Sequence, residues 1–251
     1  MPNIRQIAGP RFFAEAAAIV VSILVAFWID AWWEERAQRA AELEYLVALR
    51  EDVAATQEMI GERIIYVGER FSSVNQVLEA VSAIDAQSVP DSISKMLGDV
   101  YGVRGFTPVI ATYQDMVNSG NLRIIRDKRL RLAMAELIEL LKDVDYHTFL
   151  ISEIYWKQHA PFVNRNFVVS EFGWFLGETG GVFSERARIF GATPESPFNV
   201  NSEALRTKEF WNLMFDWKVL YADQLEPLLK SRNRCDEVLN LLSIQIEKAG
   251  S

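Results

Sequence analysis

The sequence predicts an all-α protein in which one N-terminal transmembrane helix continues into an antiparallel helical bundle. Three observations carry this expectation. Residues Ala16–Ile29, AAAIVVSILVAFWI, form a run of 14 without a charge. Between Leu46 and Val81 apolar residues recur at near-heptad spacing. No segment of useful length alternates with the period of a strand. The 251 residues are 50% hydrophobic and 24% charged, enough to build a core and too apolar for a disordered chain.

The uncharged run alone is short for a membrane span. Extended to Phe12–Trp33 it covers 22 residues, or roughly 33 Å of helix against a hydrocarbon core of about 30 Å. Glu15 and Asp30 then lie three residues inside the two ends. Phe12 and Phe13 flank one end, and Trp28, Trp32 and Trp33 the other, as an aromatic belt that suits the headgroup layer. A cleaved signal peptide is the competing reading, but the run ends in bulky Phe27, Trp28 and Ile29 rather than a small-x-small cleavage site. A buried core helix fares worse, since no second segment is apolar enough to cover it.

Arg5, Arg11 and the amino terminus precede the span, while Arg36, Arg39 and Arg50 follow it among carboxylates, so Lys and Arg are nearly balanced. Dragging a cationic tail outward would work against the membrane potential, at about 2.3 kcal/mol per charge per 100 mV. The expected organisation is a cytoplasmic tail over 1–11, a bacterial inner-membrane span over 12–33 and a periplasmic helical domain over 34–251.

The remaining elements follow in order. Leu46, Leu49, Val53, Ile60, Ile64, Val67, Phe71, Val74, Leu78 and Val81 form one seam, so a long helix is expected over 31–85, weakened by Gly61 and Gly68. Pro90 ends it, and Asp91 and Ser92 are candidate caps for a short helix through Val100. Ala111–Ser119 is helical, closed by Gly120 in the left-handed conformation. Asp127 caps a long helix from Lys128 to about His159, before Pro161, with Leu132, Ala135, Ile138, Leu141, Phe149 and Tyr155 as its core stripe. Residues 161–201, rich in Gly, Pro and aromatics, read as an irregular loop. Ser202 opens a last helical region, Glu203 to Lys248, which Pro227 should kink or break.

Chemistry is scarce in this chain. A formal charge of −8 argues against nucleic acid as a partner. A single cysteine, Cys235, excludes an internal disulfide and a multi-cysteine zinc site. His147 and His159 stand 12 apart, outside the spacing of a helical metal pair. Gly173, Gly177, Gly180 and Gly181 lack the Lys-Ser/Thr of a phosphate-binding loop. No acid/base constellation can be assembled, so neither an enzyme nor a cofactor is expected.

Four features remain as candidates. Glu15, with Ser22, faces the bilayer one turn inside the span, where a carboxylate costs on the order of 1 to 3 kcal/mol unless it snorkels or meets a donor on another chain. The aromatic belt is the second. Arg123, Arg126, Lys128, Arg129 and Arg131 place five positive charges in nine residues, read either as a solvated helix face or as a dock for an anionic partner or lipid headgroups. Phe172, Trp174, Phe175 and Phe183 either fill the end of the bundle or form a contact loop.

The stretch FFAEAAAIVVSILVAFWIDAWWEERAQRAAELEYLVALREDV resembles the N-terminal signature of a domain-of-unknown-function family of bacterial single-pass membrane proteins. That signature is a Glu-containing span followed by Trp-x-Glu-x-Arg. TYQDMVNSGNLRIIRDKRLR resembles its second motif, a Ser-Gly-Asn-Leu turn between helices. Glu15, Trp32, Glu34, Glu35, Arg36, Ser119, Gly120, Asn121 and Leu122 match, while Ser22 and Asp30 stand where the family has Gly and Asn. The likeness covers roughly the first 135 residues and implies a membrane-anchored helical domain with no known activity.

Two functional classes follow. One is a non-catalytic scaffold or accessory subunit of a larger membrane complex, for instance respiratory or photosynthetic, whose partners are the lipid bilayer, other integral membrane subunits or further copies of the chain. The other is a periplasmic binding or signalling module that uses the 172–183 loop.

Overall fold

The computed structural model describes residues 10–83, 92–101, 104–169 and 201–250, with side chains from Ala14 onward. Helix α1 runs from Pro10 to Ser82 without a break, 73 residues or about 110 Å. It is followed by α2 (Ile93–Val100), α3 (Ala111–Asn118), a 3-10 turn (Asn121–Ile124) and α4 (Lys128–Ile154). A π-helical turn (Tyr155–His159) leads into α5 (Ala160–Asn166), and α6 (Ser202–Leu205) and α7 (Lys208–Gly250) complete the chain. Among the described residues there is no strand, and the protein is all-α.

The core is built around α7, which packs along both α1 and α4. Gln57 donates to Asp236 at 2.6 Å, Arg63 approaches Gln224, and the Lys218 ammonium lies over the Phe71 ring, so α7 runs antiparallel to α1. Glu136 pairs with Arg234, and Thr148 accepts from Gln224, so α7 is antiparallel to α4 as well. Helices α1 and α4 therefore point the same way.

Heptad spacing explains this packing on all three helices. In α1 the side chains of Leu46, Val53, Ile60, Val67, Val74 and Val81 are buried at intervals of seven. In α4 the buried row is Leu130, Met134, Leu137, Leu141, Val144, Thr148 and Ile151, and Tyr155 continues it into the π-helical turn. In α7 it runs from Phe210 through Met214, Trp217, Tyr221, Gln224, Leu228, Ser231, Cys235 and Val238 to Leu242. In the α4 and α7 rows every step is three or four residues, the period that keeps one seam of a helix facing its neighbours. Each fully buried Leu, Val or Phe in these rows contributes roughly 1.5 to 3 kcal/mol.

The second row of the α1 seam is largely polar, and it organises the connection between α1 and α4. Glu42, Leu49, Thr56, Arg63, Arg70 and Val77 are seven residues apart, and the four polar members each hold a piece of the crossing chain. Arg70 donates to the Asp99 carbonyl and lies 3.5 Å from its carboxylate. Arg63 donates to the Arg104 carbonyl at 2.5 Å. Thr56 both donates to and accepts from the Val109 backbone, at 2.8 and 2.9 Å. Glu42 accepts from the Arg126 N–H at 2.7 Å. These bonds satisfy backbone groups of a segment with little regular structure of its own.

Several local expectations need correction. Leu132 and Phe149 are exposed, because the α4 seam passes through Leu130, Leu137, Val144 and Ile151 rather than through them. Ser92 precedes α2 but makes no side-chain cap. Pro161 does not stop the α4 region: the widened turn over Tyr155–His159 precedes it, and α5 carries it in its first turn, where a missing N–H costs little. Pro227 likewise sits inside an unbroken α7. The last helical region is instead interrupted at Arg206 and Thr207, where the Thr207 hydroxyl accepts from the Phe210 N–H at 3.1 Å and starts α7. Asp127 caps α4 as expected, accepting from the N–H groups of Arg129 and Leu130, and Gly120 has φ 73°.

Candidate functional site

Three regions combine features that contacts within the described chain do not absorb. The first is the surface of α1 before the bundle. An 18-residue window of this helix has mean hydropathy 1.9 and is 0% buried, so α1 is long and apolar enough to cross a membrane. All residues from Ala14 to Ala40 are exposed. Glu15 lies on this bare surface, while Ser22 satisfies its hydroxyl within the helix by donating to the Ala18 carbonyl at 2.8 Å. Trp28, Trp32 and Trp33 are all exposed; Trp32 and Trp33 meet edge to face at 5.2 Å, and the Arg36 guanidinium lies over the Trp32 ring. Phe12 and Phe13 belong to α1, and their side chains lie outside the described residues.

The second region is the end of the bundle nearest that apolar segment, where the structure collects the basic residues. Arg126 sits beside both Glu42, at 3.3 Å, and Glu35, at 3.7 Å. Arg39 and then Arg126 hold the Glu35 carboxyl below the usual carboxylate range. Arg131 donates to the Ile125 and Arg126 carbonyls, closing the turn that enters α4. Arg129 lies 3.6 Å from Asp127. Burial works to raise the Asp127 carboxyl, yet the hydrogen bonds from Leu130 and Arg129 leave it lowered overall. Gln245 of α7 also donates to this carboxylate, at 2.6 Å. Arg126 and Arg131 are thus tied down locally, whereas Arg129 remains exposed beside Asp127, and Arg123 and Lys128 are exposed and have no ion-pair partner among the described residues.

The third region is the far half of the core, and sequence reasoning missed it. Arg63, Gln224 and Thr148 form a polar layer contributed by all three long helices: Gln224 donates to Thr148 at 2.9 Å and faces Arg63 at 3.4 Å. Arg63 is buried with its Nε unpartnered, and desolvation lowers its pKa. The rings of Tyr101, Tyr155, His159, Trp217 and Tyr221 pack near this layer. His159 is fully buried, its ring centroid 4.8 Å from that of Trp217, and neither of its nitrogens has a hydrogen-bond partner among the described residues. Burial pushes its pKa down to about 4, so the imidazole is neutral. Burial, with help from Asp236, raises the Cys235 thiol to about 12 and keeps it protonated. The heptad register carried a signal for Thr56 and Arg63, which fall seven and fourteen residues from Leu49. Nothing local in sequence marked Gln224 or the partners of His159.

Among the described residues these regions show no nucleophile hydrogen-bonded to a base. Among the described residues no three His, Cys, Asp or Glu side chains gather to hold a metal ion. A groove of about 610 Å³ between α3 and α4, lined by Phe106, Pro108, Val109, Tyr113, Val117 and Leu141, is mainly apolar. The loop residues Phe172, Trp174, Phe175 and Phe183 lie outside the described residues. No family model, curated protein or solved structure matches the chain.

Proposed function

We propose that this chain is a non-catalytic, membrane-anchored scaffold or accessory subunit of a larger bacterial membrane assembly, of the respiratory or photosynthetic kind. The observation that carries the reading is the continuity of α1. One helix passes from an apolar stretch with nothing packed on it into the seam of a bundle with no break between them. A stretch of that length and hydropathy needs cover, and within this chain none is described; lipid and the helices of other subunits supply it. In this reading α1 spans the inner membrane, 1–11 is cytoplasmic and 34–251 periplasmic, with Glu15 meeting a donor on a partner helix.

Purification of the native protein in mild detergent, with mass determination and identification of what stays bound, tests this directly. Stoichiometric integral membrane subunits are the expected result, and Glu15→Leu should reduce their recovery. A bare monomer or homodimer would refute the accessory role and favour a periplasmic binding module acting through residues 172–183, for which Trp174→Ala is the matching variant. Alkaline phosphatase fused after Ser251 should be active; an inactive fusion, with a fluorescent cytoplasmic reporter at the same place, would overturn the orientation.

A further inference from the structure

The basic cluster acquires its meaning from its height above the membrane, and the inference drawn from that rests on the reading of α1 as a span. Along α1, Glu35 is two residues beyond Trp33 and Glu42 is nine, which is about 3 and 14 Å of helix rise. Arg126 bonds to both carboxylates, so the turn entering α4 is fixed at that level. The headgroup layer adds about 5 to 8 Å on each side of the hydrocarbon core. With Trp33 in the interface, that layer reaches the level of Arg36 to Gln38, directly below the basic turn. Helix α4 points away from the membrane, so its first residues are the ones that face it.

Charge singles out the same place. Residues 34–42 and 119–131 together hold seven Lys and Arg against four Asp and Glu, in a chain whose formal charge is −8. Arg126 and Arg131 are spent on holding the turn, and Asp127 occupies the first N–H groups of α4. Arg123 and Lys128 flank Arg126 in sequence, exposed and without an ion-pair partner among the described residues, and exposed Arg129 follows them.

We propose that the membrane-facing end of the bundle binds the phosphates of anionic phospholipids in the leaflet from which α1 emerges, through Arg123, Lys128 and Arg129. The acidic remainder of the domain is repelled by the same surface, so the contact sets which end of the bundle lies down on the leaflet. Lipid is favoured over an acidic protein because the site adjoins the span, where headgroups are present at high local concentration without a separate encounter. A basic residue near an anionic membrane surface contributes about a fivefold factor in binding.

The test uses the full chain in nanodiscs of phosphatidylcholine alone and of phosphatidylcholine mixed with phosphatidylglycerol, read by hydrogen exchange over residues 119–131. Exchange there should slow by about fivefold or more in the anionic discs, and the difference should vanish in high salt and in an R123Q/K128Q/R129Q variant. These residues are exposed, so the variant keeps its fold, and unchanged exchange over the α7 core provides the check. Equal exchange in the two lipids overturns the proposal, as does slowing that survives in the variant. Slowing that requires a co-purified acidic subunit, and not anionic lipid, also overturns it and assigns the surface to protein. Failure of the chain to remain in either disc refutes the span itself and is thereby distinguished from failure of the headgroup site.

Discussion

Burying a neutral histidine whose nitrogens find no partner among the described residues makes the stability of this bundle depend on pH. In the unfolded chain His159 titrates near 6.5, whereas in the fold burial pushes it down to about 4. Above pH 6.5 neither state is protonated there and the fold has its full stability. As pH falls below 6.5 the unfolded state takes up a proton that the folded state refuses, so stability is lost until the folded imidazole also titrates near 4. A pKa unit is worth about 1.4 kcal/mol, so the whole window costs about 3 kcal/mol and the part above pH 5 about 2 kcal/mol. The measurement is urea unfolding of the detergent-solubilised protein, followed by helix signal, at about pH 8 and pH 5. Carboxylates also titrate toward the lower pH, and His159→Phe isolates the histidine. A phenyl ring keeps the stack with Trp217 and Tyr101 and removes two unpaired nitrogens, so stability at pH 8 should be retained within about 1 kcal/mol. The loss between the two pH values should shrink by about 2 kcal/mol relative to wild type. Equal losses in the two proteins, or an imidazole titrating near 6.5 by NMR in the folded state, would refute the argument.

Three further outcomes are expected of the bundle. Gln224→Leu strips Arg63 and Thr148 of a buried partner and should cost about 2 to 4 kcal/mol, while Arg63→Leu combined with Gln224→Leu should recover part of that loss; a double-mutant cycle in urea with no coupling would show that the polar layer is not one unit. Asp127→Ala removes the cap of α4 and a bond from Gln245, and should lower stability by about 1 to 2 kcal/mol, with faster hydrogen exchange confined to the first turn of α4. Gly61 and Gly68 are seven apart on α1, and an added Cβ would meet nothing at either position, so alanine at each should stabilise the isolated chain by about 1 kcal/mol. Lost recovery of membrane subunits in these alanine variants, despite a more stable bundle, would identify that face of α1 as a helix-contact surface.

Periodicity exposed the architecture because a coiled-coil seam writes itself into the sequence of each helix separately. Leu46 to Val81 needed no knowledge of α7 to be read as one stripe, and Asp127 and Gly120 needed only their immediate neighbours to act as cap and turn. Where reading failed, the competing information lay on another helix. Leu132 and Phe149 fit a helical period as well as Leu130 and Val144 do, and only the way α4 lies against α7 decides which row turns inward. Prolines misled for a related reason: a break was expected from the lost hydrogen bond, but packing on both sides of Pro227 holds α7 together through it. The polar second row of α1 shows how far this goes. Arg63 and Thr56 look like surface residues when judged by type, yet the heptad places them inward, and their partners are backbone carbonyls 41 and 53 residues away. A chain that routes an irregular connection along its own coiled-coil seam must put donors and acceptors where a simple bundle would put leucine. The polar positions at 42, 56, 63 and 70 are therefore the record of that route, written in the same seven-residue period as the core.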